Sequence, residues 1–459
     1  LREMKDDSPG FVFSVPYEIA VVRPLRQTTF NEREEALQAA FYNTELIPQE
    51  SIYIDLSTDS GVSSLSTGQL AAATGARALE PGMGLAAEGS RAFQALKEQF
   101  QAIFGFPYVI ATTQGRAAER IWSKLHVKPN GVVAGNMLFP STRMHIEMNG
   151  AKVVDVICEA AHDLDSTELF KGNVDLTKLE AVFKAQGEKV CCVYVELAVN
   201  SCGGHPVALA NLKAVKAMAS AHGAPLFLDA CRIFENSYLI KQREPGYHDR
   251  SIQEIVRETC DLADGLTMSA LKDLLVPLGG LIGTRDPASY QKATMQGFLD
   301  GVQPPGSALE MMTVALREIF AAESTVAGRV EQVNYLWRRL NAGVPLVQPP
   351  GGHAVFIDIK KFLPHVAAEN HPAEALAAFL YLVSGIRATK GPPPAPSQVE
   401  RGVDLLRLAV PARKYVQGHM DDAAEAVLYA YAQRNEIKGL KRLDKPGRGK
   451  YDPAHFEMV

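Results

Sequence analysis

The residues with the most chemical promise are a lysine, an aspartate and a glycine-containing turn, each placed after an apolar run. Asp229 closes PLFLDA (225–230), Lys272 follows GLTMSA (265–270) within SALKD, and TTQGR (112–116) leads into the helical pattern GRAAERIWSKL. A strand-terminal aspartate commonly caps a helix, and a lysine beside an aspartate is commonly a solvated pair, so neither decides anything alone. In this order and spacing they are the parts that pyridoxal-phosphate chemistry requires. A lysine holds the cofactor's aldehyde, and a carboxylate keeps the ring nitrogen protonated so that the ring can accept electrons from a substrate Cα. Backbone N–H groups at a helix start take the phosphate. A bidentate arginine for the substrate carboxylate would complete the set.

The surrounding pattern predicts the elements that would position these groups. From about residue 105 to 285, short β-branched runs alternate with amphipathic stretches. The expected strands are 108–113, 131–135, 152–158, 190–197, 225–230, 265–270 and 279–284. Between two of them, Leu209, Leu212, Val215 and Met218 share one helical face that ends at Gly223 and Pro225. Such repetition predicts a mostly parallel sheet covered on both faces, with ligands at the carboxyl ends of its strands. After about residue 325 the texture changes. GGHAVFIDI (351–359) and LLRLAV (405–410) read as strands, GPPPAPS (391–397) as a loop, and the tail from about 436 as polar and loop-like. The expected organisation is an N-terminal arm (1–61) that contributes IYIDL (52–56) to a small domain, a large cofactor-binding domain (62–325), and the rest of the small α+β domain (326–459).

Composition narrows the function. The chain has 459 residues, 47% of them hydrophobic, and a net charge of −5 with no basic block, which gives nucleic-acid binding little electrostatic support. No apolar run is long enough to span a membrane, and LREMKDDSPG has no signal-peptide core. Beginning at Leu1 rather than Met would suit a domain excised from a longer polypeptide. The six cysteines mostly sit in apolar runs such as VCCVYVEL, so reduced thiols in a cytoplasmic setting are expected. There is no CxxC or HExxH, and no metal site is expected. GMGLAA (82–87) fits a dinucleotide fingerprint but follows RALEP instead of a strand, and the vicinal Cys191–Cys192 pair lies in a core-like run. Both are read as decoys.

The chain resembles the aromatic amino-acid β-lyases, the family of tyrosine phenol-lyase and tryptophanase. The motifs run in order from IYIDLSTDSG (52–61) through TTQGRAAER, AGNMLFPSTRMHIEMNGA, VNSCGGHPVALANLKAV, LDACRIFENSYLIKQRE, MSALKDLLVPLGG and GGHAVFID to LRLAVPARKYVQGHMD (406–421). The resemblance implies a fold-type I pyridoxal-phosphate enzyme that works on an amino-acid-like substrate as at least a homodimer. It also implies residue roles. Lys272 is the cofactor lysine and moves the substrate α-proton, Asp229 partners the ring nitrogen, and Phe139 stacks on the ring. Gln114, Gly115, Arg116 and Ser269 cradle the phosphate, while Arg232 and Asn200 stand beside the phenolic oxygen. Arg407 clamps the substrate carboxylate with Thr58, Ser60 and Asn200.

The departures lie on the leaving-group side. Ungapped alignment of GLAAEGSRAFQALKEQFQAIFGF (84–106) puts Ala87 where the family carries a tyrosine assigned as an acid, and Leu85 where a glutamate helps hold a monovalent cation. Leu271 replaces a lysine, Pro140 a threonine, and Tyr451 and Asp452 a pair of aromatics. Expelling a carbon leaving group requires a positioned acid, whereas a thiolate leaves unaided because its conjugate acid is already fairly acidic. The expectation is therefore a cysteine-type C–S β-lyase, similar to the cysteine lyase domains of leinamycin-type polyketide synthases, with a substrate that is free or carrier-bound. The alternatives are a tyrosine phenol-lyase or tryptophanase in which Glu88 or Tyr451 supplies the acid, and a non-catalytic scaffold of the same fold.

Overall fold

The computed structural model describes residues 17–19, 22–81, 85–321, 323–399, 401–443 and 454–459. The Gly82–Gly84 part of the glycine motif, Tyr451 and Asp452 lie outside the described residues. A short strand β1 (Ile54–Asp55) precedes seven strands that form the central sheet: β2 (Tyr108–Thr112), β3 (Val132–Gly135), β4 (Lys152–Asp155), β5 (Val190–Glu196), β6 (Leu226–Asp229), β7 (Gly265–Ser269) and β8 (Gly280–Thr284). Their order is β2-β8-β7-β6-β5-β3-β4. β8 runs antiparallel to both of its neighbours, and the other pairs are parallel. The connection from β7 to β8 is too short for a parallel crossover, so the chain turns straight back. Lys272 sits in that return. The carboxyl ends of β2 through β7 therefore share one edge, where the crossover geometry of such sheets opens a cleft.

The β5–β8 strands are buried along nearly their whole length, as expected for a sheet covered on both faces. One face packs against the helices Arg91–Phe104, Leu176–Gln186, Leu209–Ala221 and Ile252–Asp261 through Phe100, Leu179, Leu212 and Ile255. The other face packs on the helix Gly115–His126, where the ring centroids of Trp122 and Tyr194 are 4.4 Å apart. This is the α/β architecture that the family resemblance implies.

A second apolar core gathers Ile54, Leu56, Val333, Leu336, Ile357, Leu380, Leu406, Met420 and Val427. It is built on β9 (Ala354–Asp358), β10 (Ile386–Arg387), β11 (Thr389–Lys390) and β12 (Leu405–Ala409). β12 pairs antiparallel with both β9 and β11, and β1 pairs in parallel with β10. The tail departs from the loop-like expectation. β13 (Leu440–Arg442) and β14 (Phe456–Met458) form an antiparallel pair, held by the buried Leu440 and Phe456 and an outward Lys441–Glu457 ion pair of 2.8 Å. Three-residue strands carry too short an alternation to read from sequence. The proline-rich loop likewise holds one helical turn, Pro396–Val399.

Candidate active site

Three turns at the carboxyl edge carry residues with positive φ. Met137 (66°), Ala198 (60°) and Leu275 (54°) lie within three residues of Phe139, Asn200 and Lys272 respectively. A non-glycine residue in this region costs of order 1–3 kcal/mol and persists only where its surroundings enforce it. Such strain often accumulates around functional sites.

The side chains converge on a cavity of about 850 Å³, within the range of small-molecule sites. Eleven of the expected residues line it: Thr58, Ser60, Gln114, Gly115, Arg116, Phe139, Asn200, Arg232, Ser269, Lys272 and Arg407. Asp229 is buried at the end of β6, where its Oδ1 accepts the Cys231 N–H at 3.0 Å. Lys272 Nζ lies 5.2 Å from the Phe139 ring centroid. Desolvation lowers the Lys272 pKa, but Cys231, Asp229 and Glu119 together hold it above the usual lysine value.

The phosphate-cradle candidates meet where β2 and β7 end. A Cβ on Gly115 would come within 2.5 Å of the Ser269 Cβ, so only glycine lets the helix Gly115–His126 start this close to β7. Its first-turn N–H groups and the exposed Arg116, which has no ion pair among the described residues, suit an anion.

Arg232 is buried, and its terminal nitrogen donates to both oxygens of Asp59 at 2.9 Å. Burial opposes ionisation of Asp59, yet Arg232, His353 and Arg329 hold its carboxyl far below the usual range. Arg407 on β12 donates to the Ser57 carbonyl at 2.9 Å and to Asn200 Oδ1 at 3.4 Å. It has no carboxylate partner among the described residues, and its Nε is buried without a hydrogen bond. That leaves guanidinium capacity for an incoming carboxylate.

Several site residues escaped the sequence reading. His353 bridges Asn200 Oδ1 (3.0 Å) and Glu235 Oε1 (2.9 Å). Glu235 and Asp273, the residue after Lys272, share Arg329 at 2.8 and 2.9 Å. Glu119 is buried, accepts from Ser141 at 2.7 Å, and is pushed up to about 7 by burial and by Asp229. Glu196 is buried at the end of β5. A lone acidic residue closing the apolar VCCVYVE was the signal available for it.

On the leaving-group side, Pro140 and Leu271 line the cavity, whereas Ala87 and Glu88 do not. Ala87 is buried in a short helical turn, where its carbonyl accepts the Ser90 hydroxyl at 2.7 Å. The vicinal Cys191–Cys192 pair is free, and no disulfide joins it.

The chain matches the family model described as "Beta-eliminating lyase" over residues 55–426. It is 40% identical to the tyrosine phenol-lyase of Symbiobacterium thermophilum over 97% of this chain and 98% of that protein. The tyrosine phenol-lyases of Nostoc punctiforme and Pasteurella multocida are 40% and 39% identical, each over 96% of this chain and over 96% and 98% of their own lengths. Among solved structures, Sphingomonas wittichii serine palmitoyltransferase superposes with a TM-score of 0.63 at 15% identity, over 89% of this chain and 97% of that one. Saccharomyces cerevisiae Bna3p gives the same score and identity over 90% and 100%. These two show a shared fold. The full-length relatives and the family model together establish that this chain belongs to the beta-eliminating lyases, in the aromatic amino-acid β-lyase family.

Proposed function

We propose that this β-eliminating lyase binds pyridoxal phosphate on Lys272 and removes a β-substituent from an α-amino acid, with pyruvate and ammonia as the remaining products. The observation that carries the reading is the convergence of Lys272, Phe139, Asn200, Arg232 and Arg407 on one cavity, with Asp229 buried at the end of β6. When bound, pyridoxal phosphate supplies an electron sink for negative charge at the substrate Cα. The chain's own residues supply the rest. Lys272 would hold the aldehyde and move the α-proton, Asp229 would keep a proton on the ring nitrogen, and Phe139 would pack on the ring. Gln114, Gly115, Arg116 and Ser269 take the phosphate. Arg232 and Asn200 would take the phenolic oxygen, with Asp59 holding Arg232 in place. Arg407, assisted by Thr58, Ser60 and Asn200, orients the substrate through its carboxylate. In this reading the unit 62–325 carries the cofactor residues. The unit 326–459, completed by the segment 1–61, brings Arg407 to the same cavity.

Two considerations bear on the leaving group. The names of the relatives support C–C cleavage of tyrosine with loss of phenol, and by that measure this is the better supported of the fine readings. One observation favours C–S cleavage of an S-substituted or thio-substituted cysteine: the buried Ala87 offers no acid, and a thiolate needs none. A cysteine lyase role in polyketide assembly belongs with this second reading. Parallel assays of pyruvate with phenol, and of pyruvate with thiol or sulfide, decide between them. Substantial pyruvate without phenol from tyrosine is excluded by mass balance, so the co-product identifies the bond cut.

A further inference from the structure

β5 and β6 place two carboxyl groups side by side. Glu196 and Asp229 are register partners at the carboxyl ends of adjacent parallel strands, so their side chains leave the same face of the sheet. Glu196 is 4% exposed. Its Oε1 accepts the Asn200 N–H at 3.0 Å, while its Oε2 is buried without a partner. The Asn136 side chain clamps the backbone here, accepting the Glu196 N–H at 2.8 Å and donating to the Glu196 carbonyl at 2.9 Å, so the main chain cannot shift at this position without breaking both bonds. The charged or titratable groups around it are Asp229 on β6, Arg232 after it, Lys272 after β7, and Cys202 in the turn after β5. A buried carboxylate with one bare oxygen beside a second carboxylate is expensive, and taking up a proton relieves both penalties.

We propose that Glu196 is a positioning residue: a neutral carboxylic acid that leaves Asp229 to carry the negative charge beneath the cofactor ring, while anchoring the Asn200 turn. The inference rests on the cofactor site proposed above. Burial, then Asp229, push Glu196 up to about 8, in keeping with this role.

The test uses the full chain, with and without pyridoxal phosphate. In the cofactor-free protein, a carboxyl that keeps its proton when folded and loses it when unfolded makes stability fall as pH rises between its two pKa values. The melting temperature of Glu196→Gln should therefore gain on the wild type steadily from pH 5 to pH 8. A constant difference, or one that reverses, overturns the proposal. So does failure of the variant to fold, because a neutral amide of the same shape should replace a neutral acid. Pyridoxal phosphate titration adds a second readout. Glu196→Ala leaves the Asn200 N–H unpaired and should weaken binding on the order of 10- to 100-fold, with Glu196→Gln restoring most of the loss. Equal losses in the two variants would mean that an ionised Glu196 is required. If the wild type bound no pyridoxal phosphate at all, the cofactor reading would fail, while the melting comparison would still judge Glu196.

Discussion

Lys272 Nζ faces the Phe139 ring at 5.2 Å, across the carboxyl edge of the central sheet. Phe139 is fixed as the residue before the helix Pro140–Met148, and Lys272 by the tight return from β7 to β8. A flat ring linked to Lys272 has an aromatic wall already in place. We expect the purified protein to be yellow and borohydride to fix the cofactor on Lys272. Lys272→Ala should abolish both fixation and turnover. Recovery of the reduced cofactor on another lysine by peptide mass spectrometry would sink the assignment.

Substrate anchoring is tested at Arg407, whose fork already uses the Ser57 carbonyl and Asn200 Oδ1. Lysine keeps the charge but loses the planar bidentate geometry. Arg407→Lys should cost roughly 2–4 kcal/mol in kcat/KM, the scale for breaking a buried charge pair. Near-normal efficiency would assign the carboxylate to another cation.

The Arg232–Asp59 pair predicts a pH dependence of stability. Asp59 is held far below the ordinary carboxylate range when folded, so the unfolded chain takes up its proton first as pH falls. The pair's contribution is complete above about pH 4, the ordinary aspartate value, and declines below it. Asp59→Asn leaves Arg232 buried without its counter-charge and should destabilise the fold by about 3–5 kcal/mol at pH 7. Urea unfolding at pH 7 and pH 3 checks both points. The variant's deficit should shrink at the lower pH, and a deficit that grows would contradict the assignment.

A C–S lyase would prefer sulfur substrates, whereas a tyrosine phenol-lyase would not. A positioned general acid contributes about 10²–10⁴-fold. Without one at Ala87, an S-substituted cysteine should react faster than tyrosine or tryptophan. Tyrosine, tryptophan and an S-substituted cysteine assayed side by side, with phenol, indole and thiol measured alongside pyruvate, check this. Phenol or indole release that rivals the best sulfur substrate would refute this and establish the activity named for the relatives.

Assembly is the remaining expectation. The family resemblance implies active sites completed across a subunit boundary, so at least a homodimer should form. Light scattering that finds a fully active monomer would overturn it.

The central sheet was legible in the sequence because its physics is local. Strands buried on both faces leave continuous apolar runs, and helices leave a 3.6-residue period. The ends of those runs therefore located Asp229 and Lys272 before any contact was known. The tail strands β13 and β14 were not legible, since three residues show no period and their pairing depends on Phe456 finding the second core. The couplings within the site belong to tertiary structure alone. Arg232 meets Asp59 from 173 positions away, and Asn200 meets His353 from 153 positions away and Arg407 from 207. Nothing in the local pattern of either partner encodes the other, because each pairing exists only once the second core packs against the edge of the sheet. Glu196 shows the same limit within the sheet itself. Its sequence marks an acid at a strand end, but only the β5–β6 register puts Asp229 beside it.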